Sequence, residues 1–165
     1  MMRLATGAMK ALTLRLDDEI FAIEAESVRE ILDLVPVTAV PNAPAFVGGL
    51  INVRGRVVPL ADLRVVFGMA QPPADQDTRI VVLETDIDGE ATVVGIIADK
   101  VHEVTDIEAS SVEGAPRVGM RWRPDFVAGI GKRNGDFIII PDLGRIFEQQ
   151  GGRSQSLSAA ERAVS

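Results

Sequence analysis

Short apolar runs, each closed by charged residues or glycine, divide the chain into elements. Residues 10–16 and 20–25 are two such runs, separated by Asp17-Asp18-Glu19, which reads as a hairpin turn. The stretch Val28-Arg29-Glu30-Ile31-Leu32-Asp33-Leu34 alternates enough to predict a third strand, although so short a window also admits helix. Pro36, Pro41 and Pro44 break any regular element after it. Residues 46–53 are apolar and are expected to cover the sheet ahead of Gly55. Val57-Val58-Pro59-Leu60 reads as a strand, with Pro59 expected at an edge or a strand terminus because it has no N–H for a ladder. Asp62 suits the N-cap of a short helix over 63–67, and Gly68 suits its stop.

Residues 69–77, Met-Ala-Gln-Pro-Pro-Ala-Asp-Gln-Asp, form a polar, proline-bearing linker. Strands are predicted again at 80–85 and 91–98, joined by a turn over 86–89 that contains the hairpin signal Asp88-Gly89. A further strand is predicted at 101–104. Residues 105–125 hold Gly114, Pro116, Gly119 and Pro124 and read as an irregular connection. The last strands are expected at 126–130 and 137–140, followed by a short helix capped by Asp142 and running through Phe147. Residues 1–9 form a leader, and the polar, Gly/Ser-rich residues 149–165 are expected to be a disordered tail.

The second half repeats the first. Phe46-Val47-Gly48-Gly49-Leu50 returns 80 positions later as Phe126-Val127-Ala128-Gly129-Ile130. The same offset pairs Gly55 with Gly135, Asp62 with Asp142, Leu63 with Leu143 and Phe67 with Phe147. Upstream, an offset of 73 pairs Ile23 with Ile96, Glu26 with Asp99, Val28 with Val101, Glu30 with Glu103 and Ile31 with Val104. Many short strands in duplicate, with short helices at the end of each copy, predict an all-β fold of two small antiparallel barrels. The boundaries are a first barrel over about 10–68, a linker over 69–77 and a second barrel over about 78–148. Units of this size are marginal alone, so a core shared between them is expected.

Composition narrows the function. At 47% apolar and 25% charged, the chain can fill a core, and its six Phe, single Trp and absence of Tyr make that core aliphatic. A net charge of −7 disfavours nucleic acid and anionic membrane. Without cysteine there is no disulfide and no thiolate chemistry. No apolar run approaches the length of a membrane span, so a cytoplasmic protein is expected. His102 is the only histidine, and its repeat counterpart is Arg29, which argues for a solvated side chain rather than a metal ligand. No G-x-S-x-G turn or Walker spacing is present. Asp86 and Asp88 are not followed by an EF-hand loop. No catalytic residue, cofactor or metal is expected.

The repeat also works as a filter. Residues shared by both copies report what the fold needs, and residues in one copy report something else. Gly49 and Gly55 are shared, so a tight turn or close packing accounts for them. Asn52-Val53-Arg54-Gly55 faces Lys132-Arg133-Asn134-Gly135, which makes Asn52 and Arg54 specific to the first copy. Two readings of Arg54 stay open: a solvated turn charge or an internal ion pair with a carboxylate such as Glu30, or a contact with a partner through its rigid, multi-donor guanidinium. Arg121-Trp122-Arg123 is the other one-copy feature, read as a packed anchor or an interface hot spot.

The residues Val28-Arg29-Glu30-Ile31-Leu32, then Pro44-Ala45-Phe46-Val47-Gly48-Gly49, then Asn52-Val53-Arg54-Gly55-Arg56-Val57-Val58-Pro59-Leu60-Ala61-Asp62-Leu63-Arg64, resemble the CheW family of chemotaxis coupling proteins. So do residues 94–101 and Phe126-Val127-Ala128-Gly129-Ile130 with Asp142-Leu143, so that the resemblance spans about 10–148. It implies two five-stranded SH3-like barrels, intertwined around a shared core, with exchange of the first strands left open. It also implies a non-enzymatic adaptor between the regulatory domain of a CheA-type histidine kinase and the cytoplasmic tips of methyl-accepting receptors. A scaffold of a non-flagellar chemosensory pathway is the alternative, and a small-ligand-binding β-barrel is the alternative of a different class. Carried over from the motif, Arg54, Asn52, Glu30 and Val28 are expected at partner surfaces, with Gly49 and Gly55 shaping the adjoining turns. No direct membrane insertion is implied, only recruitment to membrane-associated receptor arrays.

Overall fold

The computed structural model describes residues 7–114, 124–133 and 135–150. The first copy supplies β1 (Ala8–Leu16), β2 (Glu19–Glu24), β3 (Val28–Leu32), β4 (Val47–Val53), β5 (Arg56–Ala61) and α1 (Leu63–Val66). The second supplies β6 (Arg79–Ile87), β7 (Glu90–Ala98), β8 (Lys100–Glu108), β9 (Val127–Arg133), β10 (Asp136–Pro141) and α2 (Leu143–Gln150).

The strands assemble into two five-stranded sheets, and neither sheet belongs to one copy. The first runs β8-β1-β2-β10-β9 and the second β3-β6-β7-β5-β4. Each copy lends its first hairpin to the sheet that holds the other copy's last three strands. Lending the hairpin changes the pairing: β2 meets β10 in parallel at Phe21 and Ile139, and β5 meets β7 in parallel through Leu60–Gly95 and Ala61–Ile96. The sheets are therefore mixed, not antiparallel as the strand pattern predicts. Strand pattern alone carries no information about which copy a hairpin joins.

Burial follows from the exchange. β1 sends Leu12, Leu14 and Leu16 into a central cluster between the sheets, and β6 sends Val81 and Leu83 into the same cluster. Their alternate residues fill the two sheet interiors, with Met9 and Ala11 meeting Ile107 and Ile138, and Ile80 and Val82 meeting Val53 and Val58. Both faces of β1 and β6 are thus buried over much of their length, and in β6 this appears as the unbroken run Ile80-Val81-Val82-Leu83. Phe46 of the first copy packs on Phe147 of the second with ring centroids 5.8 Å apart. Each fully buried Leu, Ile or Phe contributes about 1.5–3 kcal/mol relative to exposure.

Three local expectations change. β8 continues to Glu108, where Thr105 and Ile107 point inward between exposed Asp106 and Glu108, so the irregular connection starts later than predicted. Pro59 lies within β5, which has neighbours on both sides, and not at an edge. It is tolerated because the ladder to β7 begins one residue later, at Leu60. α2 extends to Gln150, past Phe147.

Neither sheet closes through a ladder. In the second sheet the chain beyond β3 swings across to the free edge of β4, where Thr38 and Leu50 exchange two backbone hydrogen bonds of 2.8 Å. In the first sheet Glu113 and Ile130 do the same at 2.9 and 2.7 Å. The repeated glycine sits beside each bridge. A Cβ on Gly49 would lie 2.4 Å from the Thr38 carbonyl oxygen, and one on Gly129 would lie 2.6 Å from Val112 Cγ1. The closing segment can approach only a backbone without a side chain.

Gly49→Ala is expected to lower stability by at least about 2 kcal/mol, since φ is +146° as well as the site being crowded. Gly48→Ala, whose Cβ meets nothing nearer than 3.6 Å, is expected to stay within about 1 kcal/mol of the parent. Urea unfolding of the two variants measures the contrast, and equal losses would mean that the seam is not tight.

Candidate partner-binding surface

The hairpin between β4 and β5 turns on Arg54 and Gly55, at φ of 51° and 84°. A two-residue turn with positive φ at both positions is the tight hairpin that matches strand twist, and it favours Asn, Asp or Gly first. The β6–β7 hairpin obeys this with Asp88-Gly89, at 53° and 83°. The β4–β5 hairpin instead places a long cationic side chain in the left-handed region, where a Cβ is disfavoured. Asn52 fastens the turn, its Oδ1 accepting a hydrogen bond of 2.8 Å from the Gly55 N–H.

Arg54 is aimed by Glu30. Its Nε donates to Glu30 Oε2 and its Nη2 to Glu30 Oε1, both at 3.2 Å. The pair spans the two edges of the second sheet, since Glu30 is on β3 and Arg54 follows β4. The Arg54 side chain remains 80% exposed and that of Glu30 25%. The hydrogen bonds to Glu30, and then its charge, raise the Arg54 pKa above its ordinary value, so the side chain stays cationic. Behind the pair lies a recess floored by Val53, Val58, Val82 and Val93 and rimmed by Arg29 and Arg56. Arg29 is held by Glu84 at 2.7 Å. Val57, next to Arg56, is 70% exposed. The surface combines cations with an apolar floor.

Four of the residues expected from sequence, Arg54, Asn52, Glu30 and Gly55, come together at this hairpin. Val28 does not project with Glu30. A register irregularity between Val28 and Glu30 offsets the two, and Val28 packs half-buried against the central cluster. Gly49 lies back along β4, at the seam. His102 is exposed, and no group of three or more His, Cys, Asp or Glu is arranged to hold a metal among the described residues. Arg121-Trp122-Arg123 lies outside the described residues.

Sequence reasoning reaches Asp62 as a cap but misses what else it holds. Asp62 Oδ1 accepts from the Arg64 N–H at 3.0 Å and also from Arg64 Nε at 2.9 Å, while Oδ2 takes Nη2 at 2.8 Å. Nη1 of Arg64 donates to Asp99 Oδ1 at 2.7 Å, and Asp99 Oδ2 accepts from the Asp17 N–H at 2.7 Å. The side chains of Asp62, Arg64 and Asp99 are buried. Hydrogen bonds to Asp62 raise the Arg64 pKa, against the opposing effect of burial. The network ties α1 to the β1–β2 and β7–β8 turns, which come from different copies. The signal that finds it is the repeat, because Arg64 stands where the second copy has Gly144.

A family model described as a CheW-like domain matches residues 10–151, nearly the whole of the repeat-bearing chain. The chain belongs to the CheW-like domain family. A chemotaxis protein CheW from Rhizobium meliloti is 28% identical over 147 residues, covering 89% of this chain and 92% of its own length. A probable chemotaxis protein CheW from Rhizobium etli is 30% identical over 143 residues, with 87% and 90% covered. The crystal structure of the scaffolding protein TtCheW from Thermoanaerobacter tengcongensis superposes with a TM-score of 0.75 at 34% identity, covering 86% of this chain and 93% of that one. Within this CheW-like fold no helix among the described residues is long and apolar enough to cross a membrane.

Arg64→Met is expected to lower stability by about 3–5 kcal/mol, because Asp62 and Asp99 are then buried without a counter-charge. Asp142→Ala, the corresponding cap in the second copy, is expected to lower it by only about 1 kcal/mol. Thermal or urea unfolding of both variants tests the difference.

Proposed function

We propose that this chain is a non-enzymatic adaptor of chemotaxis-type signalling that couples a CheA-type histidine kinase to methyl-accepting receptors. It works in the cytoplasm and is recruited to receptor arrays at the membrane. The single observation that carries the reading is Arg54: a cation at a hairpin tip, in a backbone conformation that disfavours it, oriented by Glu30 and left open to solvent. Unfavourable backbone geometry persists where function requires it. The corresponding residue of the second copy is Asn134, the residue type that such a turn prefers.

The arrangement serves binding rather than chemistry. A guanidinium already held in one rotamer loses little conformational freedom when a partner's carboxylate or carbonyl meets it. The valine-floored recess beside it suits an apolar side chain, so cation and valines together define a polar rim around an apolar centre. The scaffold label carried by TtCheW and the chemotaxis names of the other relatives support the same reading.

Arg54→Asn separates function from folding. Its denaturation midpoint is expected to equal or exceed that of the parent, because Asn suits the turn. Receptor control of the kinase in a reconstituted array is expected to fall at least about tenfold, equivalent to about 1.4 kcal/mol of binding. Titration calorimetry against the kinase regulatory domain supplies the companion measurement. Full receptor control by the Arg54→Asn protein would remove Arg54 from the binding surface.

A further inference from the structure

The duplication provides an internal comparison for the buried Arg64 network. Along the repeat, Asp62 corresponds to Asp142, Arg64 to Gly144 and Asp99 to Glu26. The cap is kept but shifted by one residue: Asp142 Oδ1 accepts from the N–H of Arg145, three residues on, where Asp62 Oδ1 accepts from that of Arg64, two residues on, both at 3.0 Å. An acid stands at both corresponding positions, with Glu26 exposed where Asp99 is buried. The guanidinium between them is missing.

In its place is an open recess at the junction of the two sheets, lined by the acids Glu24, Glu26, Glu84, Asp86 and Asp142, by Gly144, and by one cation, Arg29. A Cβ built on Gly144 would meet only the Asp86 carbonyl oxygen at 3.0 Å and Asp142 Oδ1 at 3.8 Å within 4 Å. Both neighbours are acceptors. Arg64 is bound by the same kind of groups, two carboxylates and the Pro72 carbonyl at 3.5 Å. The cation in the lining and the one beside it are both already engaged. Arg29 is paired with Glu84 at 2.7 Å, and the exposed Arg145 stands 4.0 Å from Asp142.

We propose that the recess over Gly144 is a socket for an arginine side chain of a partner protein, which supplies in trans the guanidinium that Arg64 supplies in cis in the first copy. The inference does not rest on the role of Arg54. A planar fork reaches two carboxylates on opposite sides, as Arg64 does, whereas an ammonium satisfies one acceptor direction at a time. Five carboxylates against one already paired cation in the lining, and a first copy that holds a guanidinium at the corresponding point, together select arginine. Charge complementarity favours the same choice, since carboxylates dominate the lining.

The test is an amide NMR titration of the full chain with the capped tripeptide acetyl-Gly-Arg-Gly-amide, with acetyl-Gly-Lys-Gly-amide as the equal-charge control. The arginine peptide is expected to shift the amides of Glu26, Asp86 and Gly144 with a Kd on the order of 1 mM. The lysine peptide is expected to bind at least about threefold more weakly. Gly144→Arg fills the recess from within and is expected to weaken peptide binding at least about tenfold. Should that variant not fold, Glu26→Gln, at an exposed position, provides the same contrast, with an expected loss of about threefold. Unmoved amides at the recess, equal affinity for the lysine peptide, or undiminished binding in the substituted proteins would each overturn the proposal.

Discussion

Burial of both faces of β1 and β6 is the constraint on which the rest of the structure depends. Leu12, Leu14 and Leu16 occupy the central cluster while Met9 and Ala11 occupy the first sheet's interior, and β6 repeats the arrangement with Val81 and Leu83 against Ile80 and Val82. A strand apolar on both faces needs cover on both sides. The exchanged topology provides it, because each hairpin is a member of one sheet and a wall of the cluster between sheets. Neither copy keeps a complete sheet without the other, and the buried apolar residues form one central cluster and one within each sheet.

The exchange leaves each sheet with a seam, and the molecule closes the seams with small, directional interactions. One isolated bridge on each side requires a glycine opposite it, at Gly49 and Gly129. At the other end of the second sheet the Arg54–Glu30 pair spans the same two edges. Arg64 and Arg54 both hold a carboxylate through two nitrogens, yet burial separates their roles. Arg64 is enclosed and its loss would strand two acids, whereas Arg54 is solvated and contributes little to folding. An arginine that the fold does not need is available to a partner.

Duplication separates these roles by position. Where both copies agree, the residue serves the backbone. Gly49 and Gly129 clear a seam, and Asp62 and Asp142 cap a helix. Where they differ, as at Arg54 against Asn134 or Arg64 against Gly144, one copy carries a side chain that the shared frame does not require. Both differences concern a guanidinium. In one the cation is turned outward, and in the other it is absent and leaves an acid-lined recess.

The sequence by itself determined the strands, the turns, the caps and the repeat, because each depends on neighbours a few residues apart. Asp88-Gly89 marks its hairpin, Asp62 marks its helix, and the alternative of an Arg54–Glu30 pair is legible once both charges stand out from apolar surroundings. The continuation of β8 through Ile107 was legible too, in an alternation that Gly114 and Pro116 overshadowed. Only the tertiary structure decided which copy each hairpin joins, and with it the parallel pairs β2–β10 and β5–β7. It alone placed Val28 inward, Pro59 inside a sheet, and Asp99 against Arg64, 35 residues away in the chain. The physical reason is that local preference acts through backbone dihedrals and the period of burial, which are the same in both copies. The choice of partner strand depends on long-range packing, and two copies of one pattern offer that packing two nearly equivalent faces.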